Sequence, residues 1–360
     1  MATTPVPLGA RPRLIAVAAR RPGRAAGLAI VGAISLAIVL VGGIGLGSVD
    51  LAPGTTVAIL ARRLLGLDLG ITWAPTAEAI VMDLRLPRIL TAMVVGTGLA
   101  IAGATFQGLL RNPLADPYVL GTASGAALGA AIAVILPVRG LILEFGLLHG
   151  LAFLGALGSV TVVYRLSRTS PLGPLTSLLL TGYAVSSLLA AGLAMAMYVS
   201  GTGLRQIFSY LLGGFDGTSW IRLAIAAPLI LGGSVFILLR ARALNGFLLG
   251  EEAAAHLGVN VPRERAILLA LASLVTAAGV SVAGLIGFVG LVVPHLVRLL
   301  VGPNARLVLP ISALFGASLL ASADIVARML GGVPVGVVTA VIGAPFFLAL
   351  LRRARTGYEL

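Results

Sequence analysis

In 360 residues the chain carries a hydrophobic fraction of 59% and a charged fraction of only 10%, against the roughly 25% charge of an ordinary soluble domain. So little charge cannot cover a folded surface, which excludes a soluble globular protein and calls for lipid; the 47 glycines fit membrane helices, where glycine lets backbones approach closely. No cysteine is present, which excludes a disulfide framework, a thiolate metal site and a cysteine nucleophile. All 25 basic residues are arginine and the net charge is +13, a surplus that lies between apolar stretches and reads as an orientation signal, not a nucleic-acid footprint.

A spanning helix needs about 20 mostly apolar residues. In chain order the candidates are Ala25–Leu46, Ile89–Leu110, Tyr118–Val138, Phe145–Tyr164, Pro174–Ser200 and Leu223–Leu239. The uncharged run from Ala266 to Pro294 is too long for one span, and Gly284, Gly287 and Gly290 divide it into a seventh helix ending near Ala283 and a short eighth ending near Leu300. Leu307–Ala323 and Val333–Leu351 complete ten. The chain is thus predicted to be all-α, a polytopic membrane protein with a tail at 1–24, one transmembrane domain at 25–355 and a second tail at 356–360.

Ten spans put both termini on one side. Arg11, Arg13, Arg20, Arg21 and Arg24 precede the first and Arg352, Arg353 and Arg355 follow the last, so the positive-inside rule makes both ends cytoplasmic. With that topology 17 arginines fall inside and 8 outside, the outer ones including Arg62, Arg63, Arg85, Arg88, Arg139, Arg222 and Arg328. The arginine-rich start before a long apolar run is expected to stay as an uncleaved anchor. Two loops are large: the outer Gly47–Arg88, where Leu60–Leu65 has the character of a short surface helix, and the cytoplasmic Arg240–Arg265.

Chemistry-bearing residues are scarce within the spans. His149 and His295 read as structural, and Asp324 precedes Arg328 by four residues, the spacing of an ion pair on one helix face. No His, Asp and Glu group has metal-ligand spacing, no nucleophile–base pair stands out, and there is no phosphate-binding loop, so energy from ATP has to come from another polypeptide. An ion-coupled carrier would need buried carboxylates along its path. The loop Arg240–Arg265 says more. Phe247, Leu248 and Leu249 lead to Gly250; Glu251 and Glu252 then open a second short helix where the dipole favours carboxylates, with Ala255 and Leu257 on it and Gly258 closing it. Two short helices joined at Gly250 are expected there.

Three blocks carry a family resemblance. Leu84–Ala126 reads LRLPRILTAMVVGTGLAIAGATFQGLLRNPLADPYVLGTASGA; Ala283–Leu300 reads AGLIGFVGLVVPHLVRLL; and Leu320–Leu350 contains ADIVAR and PVGVVTAVIGAPFFLAL. With LLGEEAAAHLGV in the cytoplasmic loop, the chain from Ala25 to Arg355 resembles the FecCD-type permeases of type II ATP-binding-cassette (ABC) importers for cobalamin, haem and iron–siderophore complexes. The resemblance implies a bacterial inner-membrane homodimer with a pathway on its axis, two ATPase subunits that bind ATP and Mg, and an extracytoplasmic solute-binding protein. No cofactor and no nucleic-acid partner is implied for this chain, and lipid surrounds it. It further implies docking of the binding protein through Arg85, Arg88 and Arg328. Coupling to the ATPase is implied for Leu249, Gly250, Glu251, Glu252, Ala255, Leu257 and Gly258. A gate is implied at Asn112, Leu114, Pro174, Leu175, Thr176 and Ser177. Gly173, Pro174 and Leu175 lack the hydroxyls of the cobalamin member's gate, which moves the expected cargo toward an iron–siderophore complex, ahead of haem and cobalamin.

Overall fold

The computed structural model describes residues 22–47, 49–136, 141–169 and 174–355. Residues 1–21 of the expected tail at 1–24, with Arg11, Arg13, Arg20 and Arg21, and the tail at 356–360 lie outside the described residues, as do Arg139, Gly173 and the side chains of Pro174, Leu175, Arg353 and Arg355; residues 22–24 belong to the first helix. Ten apolar helices follow the predicted order: α1 Pro22–Gly45, α2 Leu86–Leu109, α3 Thr122–Ile135, α4 Leu141–Arg168 and α5 Pro174–Val199. The second half continues with α6 Trp220–Leu239, α7 Val261–Ala283, α8 Val289–Val301, α9 Ala305–Met329 and α10 Val335–Arg355. Among the described residues, seven stretches are long and apolar enough to cross a bilayer, and three shorter apolar helices, α3, α8 and α10, accompany them.

Capping fixes several starts. Asn260 accepts from Arg263 N at 3.2 Å at the head of α7, Asn304 from Arg306 N at 3.1 Å at the head of α9, and Ser219 from Arg222 N at 3.4 Å at the head of α6. Proline stands inside α6, α8, α9 and α10, as membrane helices tolerate more readily than soluble ones.

The centre is α2, buried along almost its whole length and packed against α6, α7, α8 and α9. Lipid supplies no hydrophobic drive for one helix to leave it for another, so close backbone approach and the dispersion it brings do the work. Gly96 faces Gly316 of α9 so closely that a Cβ on either would overlap the other's carbonyl oxygen; a Cβ on Gly103 would overlap Gly290 O of α8, and one on Gly290 would press on Leu99 O and Pro117. Gly125 of α3 and Gly155 of α4 repeat the arrangement. Three buried threonines are satisfied inside their own helices: Thr91 donates to Pro87 O at 2.6 Å, Thr105 to Ile101 O at 2.8 Å and Thr276 to Ala272 O at 2.8 Å.

Several boundaries differ from the prediction. The third span starts at Thr122, not Tyr118, because Asp116 and Pro117 turn the chain into a short 3-10 segment, Pro117–Leu120. This stretch lies against the bundle interior: Ser159 of α4 donates to Gly121 O at 2.9 Å and Tyr118 donates to Ile286 O at 2.9 Å. Non-helical backbone at such depth is stable only where protein covers it. The ninth span runs on to Met329, which buries Asp324 inside a helix. The first large loop is not mostly irregular: it holds a helix at Pro53–Leu65, and Pro75–Ala79 leads through a π-helical turn, Ile80–Arg85, directly into α2. Gly284, at φ 67°, divides the long run as expected.

Gly103→Leu is expected to destabilise the detergent-solubilised protein by more than the ~1–3 kcal/mol of an ordinary overpacked core, since backbone cannot yield as a side chain can. Gly27→Leu, with nothing within 4 Å of the added Cβ, is the control. A thermal midpoint for Gly103→Leu equal to that of the control would refute the packing account.

Candidate functional site

Polar side chains gather at the two ends of the bundle. At one end two arginines pair with a buried carboxylate and a third lies beside them. Asp324 of α9 is 0% exposed, and Arg88 of α2 reaches it with Nε at 2.9 Å and Nη2 at 2.8 Å while Arg328, one helical turn on, lies at 3.1 Å. Arg88 Nη1 also holds Asp216 at 2.7 Å, and there the exposure is lopsided, 19% for the Arg88 side chain against 78% for Asp216. Arg85, only 5% exposed, turns inward and donates to Ile44 O at 2.8 Å and Gly45 O at 2.7 Å, with a further bond to Val49 O. Arg328 donates to Leu46 O and Gly43 O, each at 3.1 Å. Two guanidiniums thus serve the orphan carbonyls that end α1, where cations are favoured.

The sequence places the expected docking arginines in water; the structure corrects this. They do come together, but inward, because a buried carboxylate and a bare helix end demand them. The predicted pair of Asp324 with Arg328 is present, and the longer-range bond from Arg88 joins it. Sequence reasoning missed Asp216 and the cleft beside it, about 170 Å³, lined by His149, Gln206, Ser209, Tyr210 and Arg222 among others. In that cleft the His149 Nδ1–H donates to Ser281 O. The one signal in the sequence was the glycine-rich run Gly213-Gly214-Phe215-Asp216-Gly217, a loop that brings a carboxylate to the rim.

The other end carries the loop between α6 and α7. It holds two short helices, Ala241–Leu248 and Glu251–His256, joined at Gly250 with φ 106°, and Gly258 at φ 81° closes the second. Phe247 and Ala254 are buried and seat the pair on the bundle, while Asn245 bridges to α9 by donating to Asn304 Oδ1 at 2.9 Å and accepting from Ala305 N at 2.7 Å. Glu251 is clamped by Arg265 and lies 3.9 Å from Arg111. The hydrogen bond from Arg265 first, then the charges of Arg265 and Arg111, hold its carboxyl below the usual glutamate range, so the clamp persists above the ordinary value of 4.5 and loosens only as pH falls below it. Glu252 and Ala255 are exposed, and so are Leu249 and Leu257, each at 67%. Two apolar side chains held out by a clamped loop form a surface suited to a partner.

The expected gate residues divide. Asn112 accepts from Leu114 N at 2.9 Å in a turn next to Arg111, which places that turn against the two-helix loop. Thr176 is exposed at the start of α5, but Ser177 is buried and donates to Ser167 O at 2.8 Å, so it braces α5 on α4. Beyond it, Leu180, Tyr183, Ser187, Ala191, Ala194 and Tyr198 repeat at helical spacing on one exposed face.

Comparison with known proteins gives one answer. Residues 35–353 match the FecCD transport family. The chain is 46% identical over 301 residues to the cobalamin import system permease protein BtuC of Halobacterium salinarum, covering 83% of this chain and 79% of that one. It is 43% identical over 280 residues to the hemin transport system permease protein HmuU of Yersinia pestis, covering 76% and 83% of the two chains. Among solved structures it is similar to an ABC transporter described as metal-chelate type in an inward-facing conformation, with a TM-score of 0.78, 32% identity, and coverage of 92% of this chain and 100% of that one. The chain belongs to the FecCD transport family, the membrane-spanning permeases of ABC importers.

Proposed function

We propose that two copies of this chain form the transmembrane pathway of an importer that takes up a metal chelate, cobalamin or haem ahead of an iron–siderophore complex. The observation that carries the cargo order is the identity of 46% and 43% to relatives named for cobalamin and hemin; iron–siderophore uptake, first in the sequence reading, shares the same chemistry. ATP with its Mg binds and is hydrolysed on two separate ATPase subunits, and a solute-binding protein delivers the cargo. The excess of arginine around Glu251 orients that end toward the cytoplasm, with both termini.

In this reading Leu249 and Leu257 contact the ATPase, Gly250 and Gly258 give the loop its shape, and Glu251 holds it to Arg265 while Glu252 and Ala255 border the contact. The exposed face of α5 lines the pathway and meets its counterpart in the second copy, as closed two-fold symmetry requires. Asn112 and Leu114, with the start of α5 at Pro174, Leu175 and Thr176, narrow the cytoplasmic end, and Ser177 fixes that helix in place. Binding-protein docking falls to the outer edges of Arg88 and Arg328, and Arg85 holds the end of α1 beneath them. Opening and closing then alternate access to the pathway as the ATPase pair closes and separates.

Reconstituted with its ATPase and binding protein, the permease should take up labelled cobalamin or haem only with ATP, and orthovanadate should stop uptake. Uptake indifferent to orthovanadate and dependent on an ion gradient would defeat the reading, and uptake of a ferric siderophore alone would reverse the cargo order.

Leu249→Asp with Leu257→Asp should strip the ATPase from the purified permease without loss of thermal stability, because both side chains are already in water. Normal co-purification of the ATPase would remove these residues from the contact.

Reversal of all three rim arginines would leave buried Asp324 unpaired, at a cost of about 3–5 kcal/mol, and would test stability instead of docking. Asp216→Asn is the clean variant: it removes the competitor for Arg88 and leaves Asp324 paired. It should tighten binding-protein affinity by up to several-fold at low salt and by less at high salt, since an exposed pair contributes ~0–1 kcal/mol. Affinity unchanged at both salt concentrations would take Arg88 out of the docking surface.

A further inference from the structure

The helix Pro53–Leu65 is apolar on two opposite sides. Thr56 and Ile59 are buried and Leu60 packs against the same core as Ile59, while Val57 and Leu64, seven residues apart and so on one face of the helix, are exposed on the other side. A helix on the water-facing surface of a protein carries polar residues opposite its buried stripe. This one does not. The chain that follows extends the surface, since Leu67, Leu69 and Ile71 alternate along it and are all exposed.

Two observations say what covers this face. First, it is continuous with lipid-facing protein. The helix packs against the end of α1, whose Ile34, Ile38 and Val41 are exposed and apolar along its outer side, as a peripheral membrane helix must be. Second, the polar groups beside it are those of a headgroup layer. Arg62 and Arg63 sit at the C-terminal end of the helix, and the Arg62 guanidinium lies over the Trp73 ring at 5.7 Å. Trp73 donates to Glu78 at 2.9 Å, and Arg63 pairs with the same carboxylate, while Asp68, between Leu67 and Leu69, accepts from Gly70 N at 2.9 Å and closes its own turn. Amphipathic aromatic rings and arginines collect at the membrane interface, and a basic helix edge suits anionic headgroups.

We infer that residues 53–71 lie in the interfacial layer of the bilayer at this end of the bundle, with Val57, Leu64, Leu67 and Leu69 immersed at the level of the upper acyl chains and Arg62 among the headgroup phosphates. The segment is a lateral float, and the outer loop that carries it is part of the lipid-facing surface.

Because the chain has no cysteine, Leu64→Cys and Leu67→Cys each accept one NBD label in the full-length permease, reconstituted without partners into nanodiscs of phosphatidylcholine and phosphatidylglycerol. Val41→Cys on α1 is the lipid reference and Glu252→Cys, exposed at the opposite end, is the water reference. The expected result is a blue-shifted emission at both test sites, quenched several-fold more by shallow spin-labelled lipid than by aqueous iodide. Iodide quenching equal to that of the Glu252 site would overturn the assignment. So would protection that appears only after a binding protein is added, because the face would then belong to that protein.

Discussion

Where α2 passes α8, Gly103 and Gly290 leave no room for a side chain between two backbones, and Gly96 and Gly316 do the same where α2 passes α9. In water such contacts would be incidental, because burial of leucine would hold the helices anyway. In lipid the surrounding tails are as apolar as leucine, and only closer approach than lipid can manage gives helices a reason to associate. These glycine contacts make α2 the axis around which the rest is arranged. Both polar ends depend on them: Arg85 and Arg88 stand at the head of α2, and Arg111 follows its last turn.

Hydropathy made ten spans legible because each is a local property of about 20 residues. Gly284 and Gly250 were legible for a similar reason, since a glycine interrupting an apolar run announces a backbone turn without any partner. What was not legible is depth. The sequence around Asp116 and Pro117 marks a turn, but nothing in it says that the turn sits against Ser159 and Ile286 and not at the surface. The helix at Pro53–Leu65 was anticipated only in its second half, because Gly54 and two threonines weaken the local helical signal while packing of Ile59 restores it.

The rim shows the same limit for charge. Asp324 and Arg328 are four residues apart, and their pairing follows from helix geometry alone. Arg88 lies 236 residues away in sequence from Asp324, and no pattern within a segment could reveal that bond. A membrane topology puts the arginines at one end but treats that end as water. A buried carboxylate among them reverses the inference, because an ion without its counter-ions is far more costly than one with them. What remains available to a partner is the edge of the cluster, where exposed Asp216 lies over Arg88.

The length of α2 has a mechanical meaning. Its 24 residues make a rod of about 36 Å at 1.5 Å per residue, and a tilt of about 5° around its centre shifts each end by about 1.5 Å. Locked to α8 and α9 by backbone contacts, the rod cannot bend where it is gripped, so it acts as a lever. A push on the turn at Arg111, beside Glu251, would emerge reversed in direction at Arg88, at the other end of the rod. The two ends share no side chain, yet stiffness alone makes them report on one another.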